Sequence, residues 1–283
     1  MYNAVFKSDN GGTFTFSADN FVIFDIDGLS GISVDNSTSQ GAGQIGVSLA
    51  TSSVHSRTLT ITGKIFNSVS SVKKQIRNVL APFTTGTLIF NNRYWIYCTV
   101  ADAPTFAPGA DKGDFTLRLL CPYPFWREVE QQLYTIGEIT KKFHFPINYS
   151  TPHRFGEKSA IRKINVINTG DIEADYILSI KADDEVKNPY VANVDTLERV
   201  KFNTTIHSGE EIRLYRDNNG IIRCVLSAGQ TEKNIMSALD ENSTLFKLHK
   251  GDNPLLVTDD TGGSGINAQI YFYNVIVGVF DEK

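Results

Sequence analysis

The chain has 283 residues, more than one typical domain, so two domains are expected and a single large β domain is the alternative. A formal net charge of −4 excludes a broad electrostatic attraction to nucleic acid or anionic lipid, though not a local basic patch. Phenylalanine (18) and tyrosine (11) are plentiful while methionine (2) is scarce, which suits strands better than helices.

Cys98, Cys121 and Cys224 are too few and too scattered for a disulfide framework, and none lies in a CxxC pair that would suggest zinc or thiol exchange. They read as buried apolar residues of a protein folded in a reducing cytoplasm. The opening MYNAVFKSDNGG has no basic segment followed by an apolar core, so no signal peptide is expected. No apolar run approaches the ~20 residues needed to span a bilayer. A soluble, non-exported protein is the expectation.

In chain order, FTFS (14–17) and FVIFDI (21–26) follow the turn former Asn10-Gly11-Gly12 and read as strands. The stretch between Gly28 and Thr58 is rich in Gly, Ser and Thr, yet it carries Ile32, Val34, Ile45, Val47 and Leu49. It is either a disordered surface loop or two strands of an arm that orders against a partner, as long loops in compact domains are often functional. TLTITGKIF (58–66) alternates with period two. In SVSSVKKQIRNVLAPF, Val69, Val72, Ile76, Val79 and Leu80 share one helical face and Lys73, Lys74, Arg77 and Asn78 the other. Ser68 or Ser70 is the expected cap and Pro82 the stop. A basic amphipathic helix can bind a membrane or an acidic partner, but more often packs its apolar stripe on a sheet. TLIFNNRYWIYCTV (87–100) reads as a hairpin about Asn91-Asn92, because asparagine tolerates positive φ. DFTLRLLCPY (114–123) is a further strand, alternating through Phe115, Leu117 and Leu119.

CPYPFWRE (121–128) ends that strand with two prolines that forbid further ladder pairing. A reactive Cys121 and a sugar platform on Trp126 are possible readings. The favoured one is a domain-junction clamp formed by Cys121, Pro122, Tyr123, Pro124, Phe125 and Trp126, whose aromatics bury large areas. The Pro-, Gly- and polar-rich stretch that follows ends regular sheet. Strands then resume about Asn168-Thr169-Gly170-Asp171 and about Asp217-Asn218-Asn219-Gly220, and LFKLHKGDNPLLVTDD and NAQIYFYNVIVGVF close the chain. Short strands at intervals of about 8–12 residues suggest a sandwich or jelly roll. The expected division is 1–130, a connection over 131–159, and 160–283.

Candidate chemistry is thin. The histidines at 55, 144, 153, 207 and 249 show no metal-ligand spacing. Asp25-Ile26-Asp27-Gly28 opens like a calcium loop but lacks the later acidic ligands. Asp259-Asp260 before Thr261-Gly262-Gly263-Ser264-Gly265 reads as a loop between strands. No phosphate-binding GxxxxGK[ST] and no GxSxG elbow occurs, and nothing selects a carboxylate pair for glycoside hydrolysis. No cofactor, metal or catalytic residue is expected.

The order of these segments resembles the distal tail proteins of phages with long non-contractile tails. The resemblance is carried by SRTLTITGKIF, SVKKQIRNVLAPF, GTLIFNNRYWIYCTV, DFTLRLLCPYPFW and VINTGDIEADYILSI. LFKLHKGDNPLLV adds an L–x–x–G–x–N strand pair like the family's. It implies a mainly β fold: an N-terminal β-barrel-like or split-sheet domain with one helix, then a galectin-like β-sandwich. It further implies a non-enzymatic hub at the virion tail tip, made in the bacterial host cytoplasm. Such a hub is a homo-hexameric ring beneath the tail tube protein and above the tail-associated lysin or spike, with receptor-binding or other baseplate proteins docked on it. DNA would pass only as cargo of the lumen, and no membrane is involved. The chain has no spare segment for an inserted carbohydrate-binding module. Two alternatives remain: a galectin-like lectin stacking sugars on Trp95, Tyr97 or Trp126, and a β-sandwich glycoside hydrolase.

Overall fold

Alternation of apolar and polar side chains at period two puts one face of nearly every strand into a core. The computed structural model describes residues 3–16, 21–109, 113–136, 139–141, 156–158, 163–218, 220–261 and 265–280. They divide into two units, Met1–Glu130 with Val275–Lys283, and Gln131–Asn274.

The first unit contains β1 (Ala4–Ser8), β2 (Thr13–Thr15), β3 (Phe21–Asp27), β4 (Val34–Ser39), β5 (Ser48–Val54), β6 (Arg57–Ile65), α1 (Val69–Val79), β7 (Thr85–Phe90), β8 (Tyr94–Val100), β9 (Thr105–Phe106) and β10 (Asp114–Cys121). It also holds the start of β11 (Trp126–Ile136). Antiparallel pairing runs β2-β1-β7-β8, passes to β10, and continues through β6 to β3. It is an open, split sheet without barrel closure. β7 and β8 form the expected hairpin: Asn91 and Asn92 have φ of 50° and 54°, so both central residues occupy the left-handed region that matches strand twist. Phe14, Phe16, Phe21 and Phe115 pack with ring centroids 4.6–5.5 Å apart along the chain of contacts Phe14–Phe16–Phe21–Phe115. Helix α1 adds Ile76, with Leu80 just past its end, and half-buries Val69, Val72 and Val79 against the same core. Its basic face stays outside, as the amphipathic pattern implies. The expected cap does not form: Ser68 sits at the N-cap in left-handed geometry with no side-chain hydrogen bond, and Ser70 lies inside the helix.

The second unit takes the rest of β11, the short pair β12 (Ile139–Lys141) and β13 (Gly156–Lys158), then β14 (Lys163–Asn168), β15 (Tyr176–Ala182), β16 (Val186–Lys187), β17 (Tyr190–Asn193), β18 (Arg199–Lys201), β19 (Thr205–Ile206), β20 (Glu210–Arg216), β21 (Ile222–Ala228), β22 (Thr231–Asn234), β23 (Gly251–Thr258) and β24 (Ile266–Ile276). Two sheets, β24-β15-β20-β21-β22 and β14-β23-β17-β18, make a galectin-like β-sandwich. Leu178, Ile180, Ile212, Ile270 and Phe272 are buried from the first, and Val166, Val191, Val200, Leu255 and Val257 from the second. The Asn168–Asp171 turn does not join a hairpin. It carries the chain from β14 in one sheet to β15 in the other. Buried Asn168 holds this crossover, donating to the Ile172 and Leu248 carbonyls at 2.9 and 3.0 Å and accepting from Gly170 N–H.

Candidate assembly sites

Arg57, the first residue of β6, is only 4% exposed, and its guanidinium is spent on main-chain carbonyls. Nε donates to Pro124 O at 2.6 Å, Nη1 to Leu29 O at 3.0 Å and also to Gly28 O, and Nη2 to Val277 O at 2.6 Å. One side chain therefore ties together the loop after β3, the CPYPFW turn and the C-terminal segment that returns to the first unit. Burial lowers the Arg57 pKa, and the charge interaction with Cys121 partly offsets this. Two glycines permit the close approach. A Cβ on Gly28 (φ 89°) would meet Thr58 O at 2.2 Å, and one on Gly278 would meet Ser30 O at 2.4 Å.

Of the six residues expected to form a clamp, Cys121, Pro124 and Trp126 meet this node. Cys121, Pro124 and Trp126 are buried, Tyr123 and Phe125 half-buried, and Pro122 exposed. The Trp126 indole N–H donates to Leu29 O at 3.1 Å, and its ring lies 6.1 Å from Phe90. Tyr123 and Phe125 meet edge to face at 5.3 Å. With no exposed surface, Trp126 offers no face to a sugar, and Cys121 no thiol to a substrate. Half-buried Trp95 has the Arg127 guanidinium 4.8 Å from its ring, and the Tyr97 hydroxyl donates to Asp9 at 2.7 Å.

The region between Gly28 and Thr58 is an ordered hairpin of β4 and β5, not a structureless loop. Every residue from 33 to 56 is exposed. Ile32 is half-buried at its root, while Val34, Val47 and Leu49 face solvent and Ile45 is 101% exposed near the tip. The arm is held by its own polar groups. Gln44 Oε1 accepts from Gly41 N–H (2.9 Å), Gln44 Nε2 donates to Ser48 (3.0 Å), Ser52 donates to Asn36 (2.7 Å), and His55 pairs with Asp35 at the root (2.7 Å). A bulge between Ser37 and Thr38 shifts its register. An isolated two-stranded hairpin is marginal in water, and this one leaves its apolar side chains uncovered.

The remaining sequence candidates do not converge. Asp25 and Asp27 are exposed on β3, and Gly28 serves the Arg57 node. Asp259 caps its own turn by accepting from the Thr261 N–H and hydroxyl at 3.1 and 2.6 Å. Gly262, Gly263 and Ser264, like His144, His153 and most of 131–159, lie outside the described residues. Among the described residues no cluster of metal-ligating side chains occurs, and no helix is long and apolar enough to cross a membrane. Sequence reasoning missed Arg57, and it marked the pattern that contains Asn253 without giving that side chain a role. Asn253 Nδ2 donates to the His249 and Gly251 carbonyls at 2.8 and 3.0 Å, and its Oδ1 accepts from His249 N–H at 2.9 Å. The L–x–x–G–x–N pattern is thus a turn locked by its own asparagine, with Gly251 at φ 89°.

Comparison with known proteins gives this architecture a class. Residues 10–121 match the phage tail protein RIFT-related domain, and residues 169–272 match the siphovirus-type tail component, C-terminal domain. In this order and over most of the length, they define a long-tailed phage tail component. The chain belongs to the siphophage distal tail proteins. Its fold is similar to the Dit protein (gp 19.1) of phage SPP1, described as a paradigm of the hub adsorption apparatus of phages infecting Gram-positive bacteria. That match has a TM-score of 0.69 at 15% identity, covering 97% of this chain and 99% of that one. The phage p2 baseplate in its activated conformation with calcium gives a TM-score of 0.61 at 13% identity, over 99% of this chain and 100% of that one. The activated conformation with strontium gives 0.60 at 12%, over the same shares. At such identities the likeness is one of fold. No curated sequence relative matches the chain.

Proposed function

We propose that the chain is the structural hub of a phage or prophage tail tip, without catalytic activity. Six copies form a ring through their first units, continuing the tail tube. The second units are the docking platforms for receptor-binding or other baseplate proteins, and the tail-associated lysin or spike protein sits below. DNA is only passing cargo of the lumen.

The β4–β5 arm is the observation that carries this reading. Its apolar residues, Val34, Ile45, Val47 and Leu49, have no cover within their own chain and acquire it from a neighbouring copy, with Ile32 at the root. The Arg57 and CPYPFW clamp serves the same end, fixing where the chain leaves the first unit and where it returns. Open sheets in a split-sheet unit also need their edges guarded, and closure around a ring does so. A galectin-like carbohydrate-binding function is the competing reading, but buried Trp126 removes its most prominent sugar-stacking candidate.

The test is reconstitution with the tail tube protein and the tail-associated protein of the same phage. A ternary complex in which each partner binds without displacing the other is expected. Failure to bind either, together with glycan binding by the purified chain, would replace the hub with the lectin.

A further inference from the structure

Two of the three cysteines sit across a strand seam. Val100 of β8 opposes Leu119 of β10 and Thr99 opposes Leu120, and Cys98 and Cys121 are the next residues of the two strands beyond this pairing. Both are wholly buried. The neighbouring Cys121 side chain, with burial, pushes the Cys98 pKa well above its ordinary value. On its other side Cys121 opposes Arg57, with which it interacts electrostatically. Facing positions in an antiparallel pair lie about 4.5–5.5 Å apart at Cα. A disulfide needs about 4.4–6.8 Å, a span that facing strand positions meet.

The location is a fork. β8 pairs with β10 at Thr99 and Val100, then with β11 at Trp95 and Tyr94, so one strand edge serves two consecutive segments of the chain. The CPYPFW turn joins those segments, and Cys121, its first residue, is the last of β10.

We propose that Cys98 and Cys121 form a latent cross-strand disulfide, a dithiol in a reducing compartment and a staple across the fork once the chain meets a small-molecule disulfide. Cys121 thiolate, beside the Arg57 guanidinium, attacks one sulfur of glutathione disulfide and expels a glutathione thiolate. Cys98, giving up its proton, then attacks the Cys121 sulfur and expels the second. Two protein thiols are oxidised and one glutathione disulfide is reduced, the two protons ending on the two glutathiones. Burial confines the reaction to moments when the fork opens, so it is slow in the native protein. The consequence that a particle leaving a reducing cytoplasm hardens at this junction rests on the tail-tip reading. The disulfide itself does not.

The test uses the full purified chain in two arms: incubation with glutathione disulfide at rising temperature, and refolding from denaturant in a glutathione redox buffer. Thiols are counted by alkylation after denaturation, and linked peptides are mapped by mass spectrometry. Reduced protein should be alkylated at all three cysteines, and oxidised protein only at Cys224, which has no thiol partner in its surroundings and whose pKa burial pushes up to about 11. The disulfide should raise the melting temperature of the first unit by about 5–10 °C, and Cys98→Ala and Cys121→Ala should each abolish that rise. Three alkylatable thiols in refolded protein, a bond involving Cys224, or a disulfide that lowers the melting temperature would each overturn the proposal. All of these outcomes are read without a ring, so failure here is distinct from failure of the hub reading.

Discussion

Arg57 shows how much one buried cation can organise when its partners are carbonyls. Its acceptors lie 28, 29, 67 and 220 positions away in the chain, which is why no local pattern announces it. Leaving a buried acceptor without its donor typically costs about 1–3 kcal/mol. Arg57→Met fills much of the same volume and orphans those carbonyls, so denaturant unfolding followed at Trp126 should report a loss of that order. Arg57→Lys should recover only part of it, because an ammonium cannot spread donors over so wide an arc. An unchanged unfolding midpoint for Arg57→Met would show that water satisfies the carbonyls equally well. Trp126 belongs to the same node, and Trp126→Ala should cost about 3–5 kcal/mol through its cavity and the lost bond to Leu29. The aromatics and prolines of CPYPFW were legible in the sequence. The buried cation that bonds to Pro124 was not.

Among the elements, helix α1 was readable because its apolar stripe is set by periodicity alone. Its first turn was not, because the φ of Ser68 depends on how the chain enters from β6. Since Ser68 makes no side-chain cap and holds φ 52°, Ser68→Gly should leave stability unchanged or raise it by about 1 kcal/mol. A loss of similar size in thermal melts would restore a capping role to its hydroxyl. The Asn168 turn shows a second limit. Turn chemistry signals that the chain reverses, but not whether the next strand rejoins the same sheet. The β4–β5 arm shows a third, since its Gly- and Ser-rich composition equally fits a loose loop. Because the arm buries nothing in its own chain, replacing residues 33–54 by a short Gly-Ser turn should leave the melting temperature of the dilute chain within a degree or two. The same deletion should abolish self-association on a sizing column. An oligomer that survives it would remove the arm from the interface.

For the whole molecule, two features bear on assembly. The chain leaves its first unit within β11 and returns to it within β24, so the second unit is an insertion whose two connections both belong to ordered strands. Arg57 then ties the segments flanking those connections to the loop at the root of the arm. The mainly β architecture could be foreseen from strand spacing. The return of the last residues to the first unit could not, because it depends on contacts more than two hundred positions apart. The central claim is that copies of this chain close into a ring. Its most direct test is the solution mass of the purified protein, by light scattering on a sizing column across a range of concentrations. The account predicts a species near six times 31.4 kDa that persists on dilution and is lost on removal of the arm. A monomer at every concentration, unchanged when the tail tube protein is added, would contradict it.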